Sequence, residues 1–190
     1  HGAGLSAEQR LLSVRYVIDL FAQKGKQDAA GDIADAFTGM MDETQLRLAE
    51  MTRTVGEGAF EIAYQPISDL ATGKVSHYEA LARFTNPEGT GETVKFIEAL
   101  GIANAFDLAV ANKVLGLIEQ QPHAHVAFNV SGATIASPAS FGMLAKRRKL
   151  APRTLIEITE TAAIADLESA GKAIQALLEF RTPAHTRLGG

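Results

Sequence analysis

The chain has 190 residues, 46% of them apolar, enough to bury a sizeable core in one domain with an appendage. Its 18 basic and 22 acidic residues give a net charge of −4 with no long basic run, which argues against a general binder of DNA, RNA or membrane surfaces. Cysteine is absent, which excludes disulfide and thiol chemistry, and no apolar stretch approaches the ~18 residues that a membrane span needs.

In chain order, His1-Gly2 reads as a remnant of a purification tag and carries no argument. A helical region is predicted over 5–55. Ser6 and Gln9 have the spacing of a capping box, in which each side chain satisfies the other residue's backbone N–H. Leu11, Val14, Ile18 and Phe21 recur at spacings of three and four and predict one apolar stripe. Gly25, between Lys24 and Lys26, is a stop signal. A second helix is predicted over 28–53, with Ile33, Phe37, Met40, Thr44, Leu48, Met51 and Val55 close to a heptad seam. Two readings stand side by side. Either both stripes pack onto the domain C-terminal to them, or the helices form a dimerising or signal-transmitting stalk.

The pattern changes at Phe60. Strands are predicted over 60–67 and 75–84, joined by a turn at Leu70-Ala71-Thr72-Gly73, so the two pair as an antiparallel hairpin. Asn86 to Gly91 reads as a loop, followed by helices over 92–101 and 104–121, a buried strand over 126–130 and a helix over 137–150. The basic cluster Lys146-Arg147-Arg148-Lys149 reads as the solvated end of that helix. A further buried strand is predicted over 155–158 and a helix over 161–180. Alternating strands and helices argue for parallel β/α units.

Glu79, Asn129 and Glu157 each fall near the C-terminal end of a different predicted strand. Working groups of β/α barrels sit there. Carboxylate and amide oxygens suit Mg²⁺, Mn²⁺ or Ca²⁺ rather than zinc. Two carboxylates left together repel unless a cation or an arginine joins them. Arg83 is placed to hold a phosphate oxygen through a forked pair of hydrogen bonds. Taken singly, each of these residues also reads as an ordinary strand-end polar group.

The set Tyr64-Gln65-Pro66-Ile67, Glu79-Ala80-Leu81-Ala82-Arg83, Asn129-Val130-Ser131 and Glu157-Ile158-Thr159-Glu160 resembles the EAL domain family. That family comprises the cyclic-di-GMP phosphodiesterases and their catalytically inactive receptor relatives. The likeness runs from about Phe60 to Phe180. A second Glu-Ala-Leu, Glu98 to Leu100, lies inside a predicted helix and reads as surface and packing. The resemblance implies an α/β fold, a TIM-like (β/α) barrel with one antiparallel strand, of which this chain supplies the N-terminal half after a helical segment. It implies Glu79, Asn129 and Glu157 as ligands of Mg or Mn, Glu160 as the acid that steadies a loop over the site, and Gln65 and Arg83 as contacts to cyclic-di-GMP. The implied reaction opens one phosphodiester bond to give linear pGpG, with divalent cations activating water and offsetting charge at phosphorus. The resemblance also implies a bacterial, cytoplasmic domain, often part of a larger sensor; a homodimer through the N-terminal helices or the EAL domain is a partner reading that goes with the heptad-like seam.

One departure matters. Beyond the last helix the family continues with an Asp-Asp-Phe-Gly motif, whereas no Asp-Asp pair follows Glu160 here and the last acidic residue is Glu179. Four strands are predicted where a full barrel has eight, and such barrels usually need ~250 residues. An open half barrel would expose two sheet edges and an apolar interior. The favoured expectation is that further residues complete it; completion by another chain and a swapped or collapsed fold are the alternatives. The expected organisation is a helical segment over 1–55 and an EAL domain over 56–190. The expected function is cyclic-di-GMP binding through a cation site without hydrolysis. The alternative is an active phosphodiesterase whose remaining residues lie outside these 190. A different carboxylate-using barrel enzyme acting on a phosphate or sugar is the reading outside the family.

Overall fold

The computed structural model describes residues 5–24, 33–86, 88–131, 134, 137, 142–144 and 146–158. The chain divides into two compact units, His1–Ala59 with Thr85–Ala103, and Phe60–Phe84 with Asn104–Gly190.

The first unit is helical. α1 spans Ala7–Lys24, α2 Ile33–Glu57 and α3 Gly89–Ala99. The capping box forms as expected: Ser6 N donates to Gln9 Oε1 at 3.0 Å and Gln9 N donates to Ser6 Oγ at 3.1 Å. The face that α1 buries differs from the expected stripe. Leu11, Val14, Ile18 and Phe21 are exposed, and Ser13 and Val17 are fully buried instead. Apolar residues also occur at Leu12, Tyr16, Val17 and Leu20, so they cover most of the helix's circumference and spacing alone does not select a side. Packing selects it: Tyr16 meets Phe96 of α3 edge-on at 5.4 Å. Burying Ser13 is tolerated because its hydroxyl donates to Gln9 O at 2.8 Å.

On α2 the predicted seam divides. Thr44, Leu48, Met51 and Val55 are buried within the chain, so this half is not available to a second copy. Ile33 is exposed and lines, with Ile18, Phe21, Ala22, Ala34 and Phe37, an open apolar groove of about 670 Å³.

α3 begins three residues before its predicted start. Thr93 Oγ1 donates to Gly89 O and accepts from Asn86 Nδ2, which closes the first turn despite two glycines. The helix stops at Gly101, where φ is +72° and Gly101 N donates to Glu98 O while Ile102 N donates to Ile97 O. A Cβ at Gly101 would also lie 2.8 Å from Leu12 Cδ1. Gly101→Ala is therefore expected to cost about 1–2 kcal/mol, from left-handed strain with Leu12 forced to turn. A thermal melt should read this as a fall of roughly 2–8 °C. Glu98 of the second Glu-Ala-Leu is exposed and Leu100 is fully buried, in keeping with a surface-and-packing role.

The second unit holds a four-stranded sheet in the order β1-β2-β3-β4, with β1 Glu61–Ser68, β2 Val75–Arg83, β3 Val126–Val130 and β4 Thr154–Ile158. β1 pairs antiparallel with β2; β2–β3 and β3–β4 are parallel. The hairpin turn is closed by Asp69, whose Oδ1 accepts from the Thr72 hydroxyl, Thr72 N and Ala71 N. These bonds, the Thr72 hydroxyl's foremost, hold its carboxyl below the usual carboxylate range.

α4, Ala103–Gln120, buries Phe106, Val110, Ala111, Val114, Leu115 and Ile118. Phe60, Phe84 and Phe106 form an aromatic cluster with centroids 5.5–5.7 Å apart. In β3, Val126, Phe128 and Val130 point to the buried side together with Ala80 of β2 and Thr154 of β4.

The helix expected over 137–150 is helical at 142–144 and 146, and gives way to a 3₁₀ turn at Arg148–Arg153 that contains Pro152. The basic cluster does more than end its own helix. Arg147 pairs with Glu119 at 3.6 Å and donates to Asn112 Oδ1 at 2.8 Å. Arg153 Nη1 donates to Ile118 O and Gln121 O at 2.8 and 2.9 Å, so a cation closes the C-terminal end of α4. Arg153→Ala should leave two terminal carbonyls without this donor and cost about 1–2 kcal/mol, measurable by urea denaturation. The helix expected over 161–180, and Glu160, lie outside the described residues. Among the described residues, no helix is long and apolar enough to cross a membrane.

Candidate cation and phosphate face

Side chains alternate across a strand, so pairing register decides which residues share a face. Gln65 of β1 pairs with Glu79 of β2. Glu79 pairs with Ala127 of β3, and Asn129, two residues on, pairs with Glu157 of β4. Gln65, Glu79, Asn129 and Glu157 therefore lie on one face, each from a different strand. Arg83, four residues past Glu79, shares that face and pairs in register with Glu61. The opposite face carries Phe128, buried with Val126 and Ala80, while Ala127 is buried on the candidate face itself. Adjacent strands are about 4.8 Å apart, within reach of one bound ion for side chains of this length.

Two of the predicted ligands meet on this face: Asn129 Nδ2 donates to Glu79 Oε1 at 3.0 Å. That bond orients the amide and leaves its Oδ1 as the remaining acceptor. Glu79 and Asn129 are half-buried, and Glu157 is exposed. Among the described residues neither carboxylate has a basic partner within 4 Å. Two acids and an amide oxygen on one face form a hard donor set that fits Mg²⁺ or Mn²⁺. Among the described residues no three histidine, cysteine, aspartate or glutamate side chains gather closely enough to hold a metal ion. Arg83 is exposed, and its Nη1 donates to its neighbour Ala82 O at 3.0 Å.

One placement differs from the expectation. Glu79 is the fifth of nine residues in β2, not at its end, because pairing with β1 carries the strand on to Arg83. The parallel β2–β3 pairing ends at Ala80 and Phe128, so Glu79 is near the end of that ladder only.

A residue without a role in the sequence pattern is tied to the chain just past β3. Asp107 of α4 is buried, and its Oδ2 accepts from Ser131 N at 2.8 Å, Ser131 Oγ at 2.7 Å and Thr134 Oγ1 at 2.6 Å. Its signal in the sequence is an acid on the apolar stripe Phe106, Val110, Ala111, Val114.

An antiparallel edge strand followed by parallel strands, with oxygen donors gathered on one face, is the arrangement of a (β/α) barrel with one strand reversed. The chain belongs to the EAL domain family, whose model matches residues 48–181. Its fold is similar to that of LapD from Vibrio cholerae, an S helix-GGDEF-EAL protein bound to c-di-GMP. The TM-score is 0.63 at 18% identity, over 73% of this chain and 36% of that one. It is also similar to the Xanthomonas citri FimX EAL domain in complex with c-di-GMP, with TM-score 0.62 and 16% identity over 73% and 59% of the two chains. Klebsiella pneumoniae BlrP1, in a calcium and cyclic-di-GMP complex, aligns at 27% identity with TM-score 0.52 over 64% of this chain and 32% of that one. Among curated proteins, the uncharacterized protein y4lL of Sinorhizobium fredii is 24% identical over 193 residues, covering 94% of this chain and 23% of that protein. The chain thus spans under a quarter of that relative, and between about a third and three-fifths of the three solved structures. The expected fold, a partial TIM-like barrel of EAL type preceded by helices, is borne out.

Proposed function

We propose that this chain is the part of an EAL domain that binds cyclic-di-GMP on the face formed by Gln65, Glu79, Arg83, Asn129 and Glu157, together with Mg²⁺ or Mn²⁺. The observation that carries this reading is the sheet register, which brings one candidate group from each of four strands to one face, with the Asn129–Glu79 hydrogen bond between two of them. Support comes also from relatives whose structures hold c-di-GMP, with calcium in BlrP1.

Glu79, Asn129 Oδ1 and Glu157 would hold the cation. When bound, it offsets the negative charge of a phosphodiester and polarises it. The chain's own residues do the rest. Arg83 presents a planar fork of donors to a phosphate oxygen. Gln65, opposite Glu79, offers an amide to the groups beside the phosphate. Glu160 has the loop-steadying role, and the domain begins near residue 56 after a helical segment. A cytoplasmic location belongs to the same proposal. The proposal is of binding, and hydrolysis to pGpG is the alternative reading.

Calorimetry tests it. Titrating cyclic-di-GMP into the chain with Mn²⁺ or Mg²⁺ should give saturable binding that a chelator removes. Absence of binding with either cation would overturn the reading, and formation of pGpG would replace it with the phosphodiesterase reading.

A further inference from the structure

The parallel ladder between β2 and β3 ends at Ala80 and Phe128, one residue before Asn129. On the β4 side pairing continues to Val130 and Ile158. Asn129 therefore sits where the strand loses its partner on the side of Glu79, the residue it must reach. The next backbone donor beyond β3 is Ser131 N, and it is taken by Asp107. The same carboxylate oxygen holds the Ser131 and Thr134 hydroxyls, and Thr134 N donates to Ser131 O at 3.1 Å. Asp107 is 7% exposed and has no basic partner among the described residues. A buried carboxylate in this setting is costly to desolvate, and three donors on one oxygen are the compensation the fold provides.

We infer that Asp107 is a positioning residue: it ties the chain just past β3 to α4, and so fixes the backbone from which Asn129 reaches Glu79. It acts through Ser131, whose N–H and hydroxyl it holds. This rests on the proposed cation site for its purpose, but its geometry is independent of any bound ion. Three bonds to a rigid helix restrict the turn after Val130, and the Asn129 amide, two residues before Ser131, inherits that restriction. Outer partners that orient ligands typically change metal affinity 10–100-fold when removed.

The test uses Asp107→Asn and Asp107→Ala, with Ser131→Ala as a variant that removes one hydroxyl and keeps the backbone donor. By NMR, Asp107→Ala should speed hydrogen exchange at Ser131 N and shift the Asn129 side-chain amide signal, while the Phe128 amide keeps its protection. Asp107→Asn retains an acceptor and should show a smaller shift. Mn²⁺ affinity should fall about tenfold in Asp107→Ala and less in Asp107→Asn. An unchanged Asn129 amide in a folded Asp107→Ala variant would overturn the inference. If Asp107→Ala unfolds, Ser131→Ala decides: an unmoved Asn129 amide there overturns it equally, and a shifted one supports it. The amide readout needs no cation. A wild-type chain that takes up no Mn²⁺ would thus count against the proposed function, leaving the positioning role to be judged by NMR alone.

Discussion

Glu79→Ala is expected to abolish cation-dependent binding of cyclic-di-GMP while leaving the fold intact. Glu79 is half-buried, and its Oε1 accepts one hydrogen bond, from Asn129 Nδ2. Truncation removes one carboxylate donor from the set and frees the Asn129 amide to turn, so two of three oxygen donors are disturbed at once. Loss of a partner that merely orients a ligand already weakens metal sites 10–100-fold. Loss of the ligand should weaken Mn²⁺ binding at least about 100-fold, the upper end of that range. The backbone of Glu79 stays in its ladders with Gln65 and Ala127, which do not depend on the side chain. Stability should change by less than about 1 kcal/mol, as for surface sites with little packing. Calorimetry and a urea curve on the same sample check both halves. A variant that unfolds would make Glu79 a structural residue.

Phe128→Ala should do the reverse, one residue from a proposed ligand. Phe128 is 1% exposed, pairs in register with Ala80 and Ile156, and faces the side opposite Asn129. Removing a buried phenyl ring deletes its transfer free energy and leaves a cavity that rigid strands on both sides cannot close. Phe→Ala changes in such places cost about 3–5 kcal/mol. Against a whole stability of about 5–15 kcal/mol, the urea midpoint should fall by roughly 1–5 M for a slope of about 1–3 kcal/mol per M. A loss below about 1 kcal/mol would contradict the burial described. Glu79→Ala and Phe128→Ala thus separate the two faces of a single sheet.

Much of this fold is legible because local signals agree with one another. Ser6 with Gln9 announces the start of α1, and the bonds form in both directions. Leu70 to Gly73 announces the hairpin, and Gly73 takes φ +69° there. The site's members are legible as residue types on separate strands. Their common face is not, because it depends on register between strands far apart in sequence.

The departures from expectation have physical causes of the same kind. α1 is apolar around most of its girth, so tertiary packing of Tyr16 on Phe96, which no periodicity encodes, selects Val17 over Leu11 and Ile18. The place of Glu79 within β2 depends on how far β1 accompanies that strand. Asp107 escapes notice in the sequence because an acid within a helix usually reads as solvated. Only its neighbours on the apolar stripe, and the chain end of β3 brought to it across 24 residues, give it meaning.

The most direct measurement is paramagnetic broadening by Mn²⁺ in an NMR spectrum of the chain. Substoichiometric Mn²⁺ should selectively broaden the signals of Gln65, Glu79, Asn129 and Glu157, and excess Mg²⁺ should restore them. Broadening centred elsewhere, with the Asn129 side-chain amide left sharp, would contradict a cation shared among these strands.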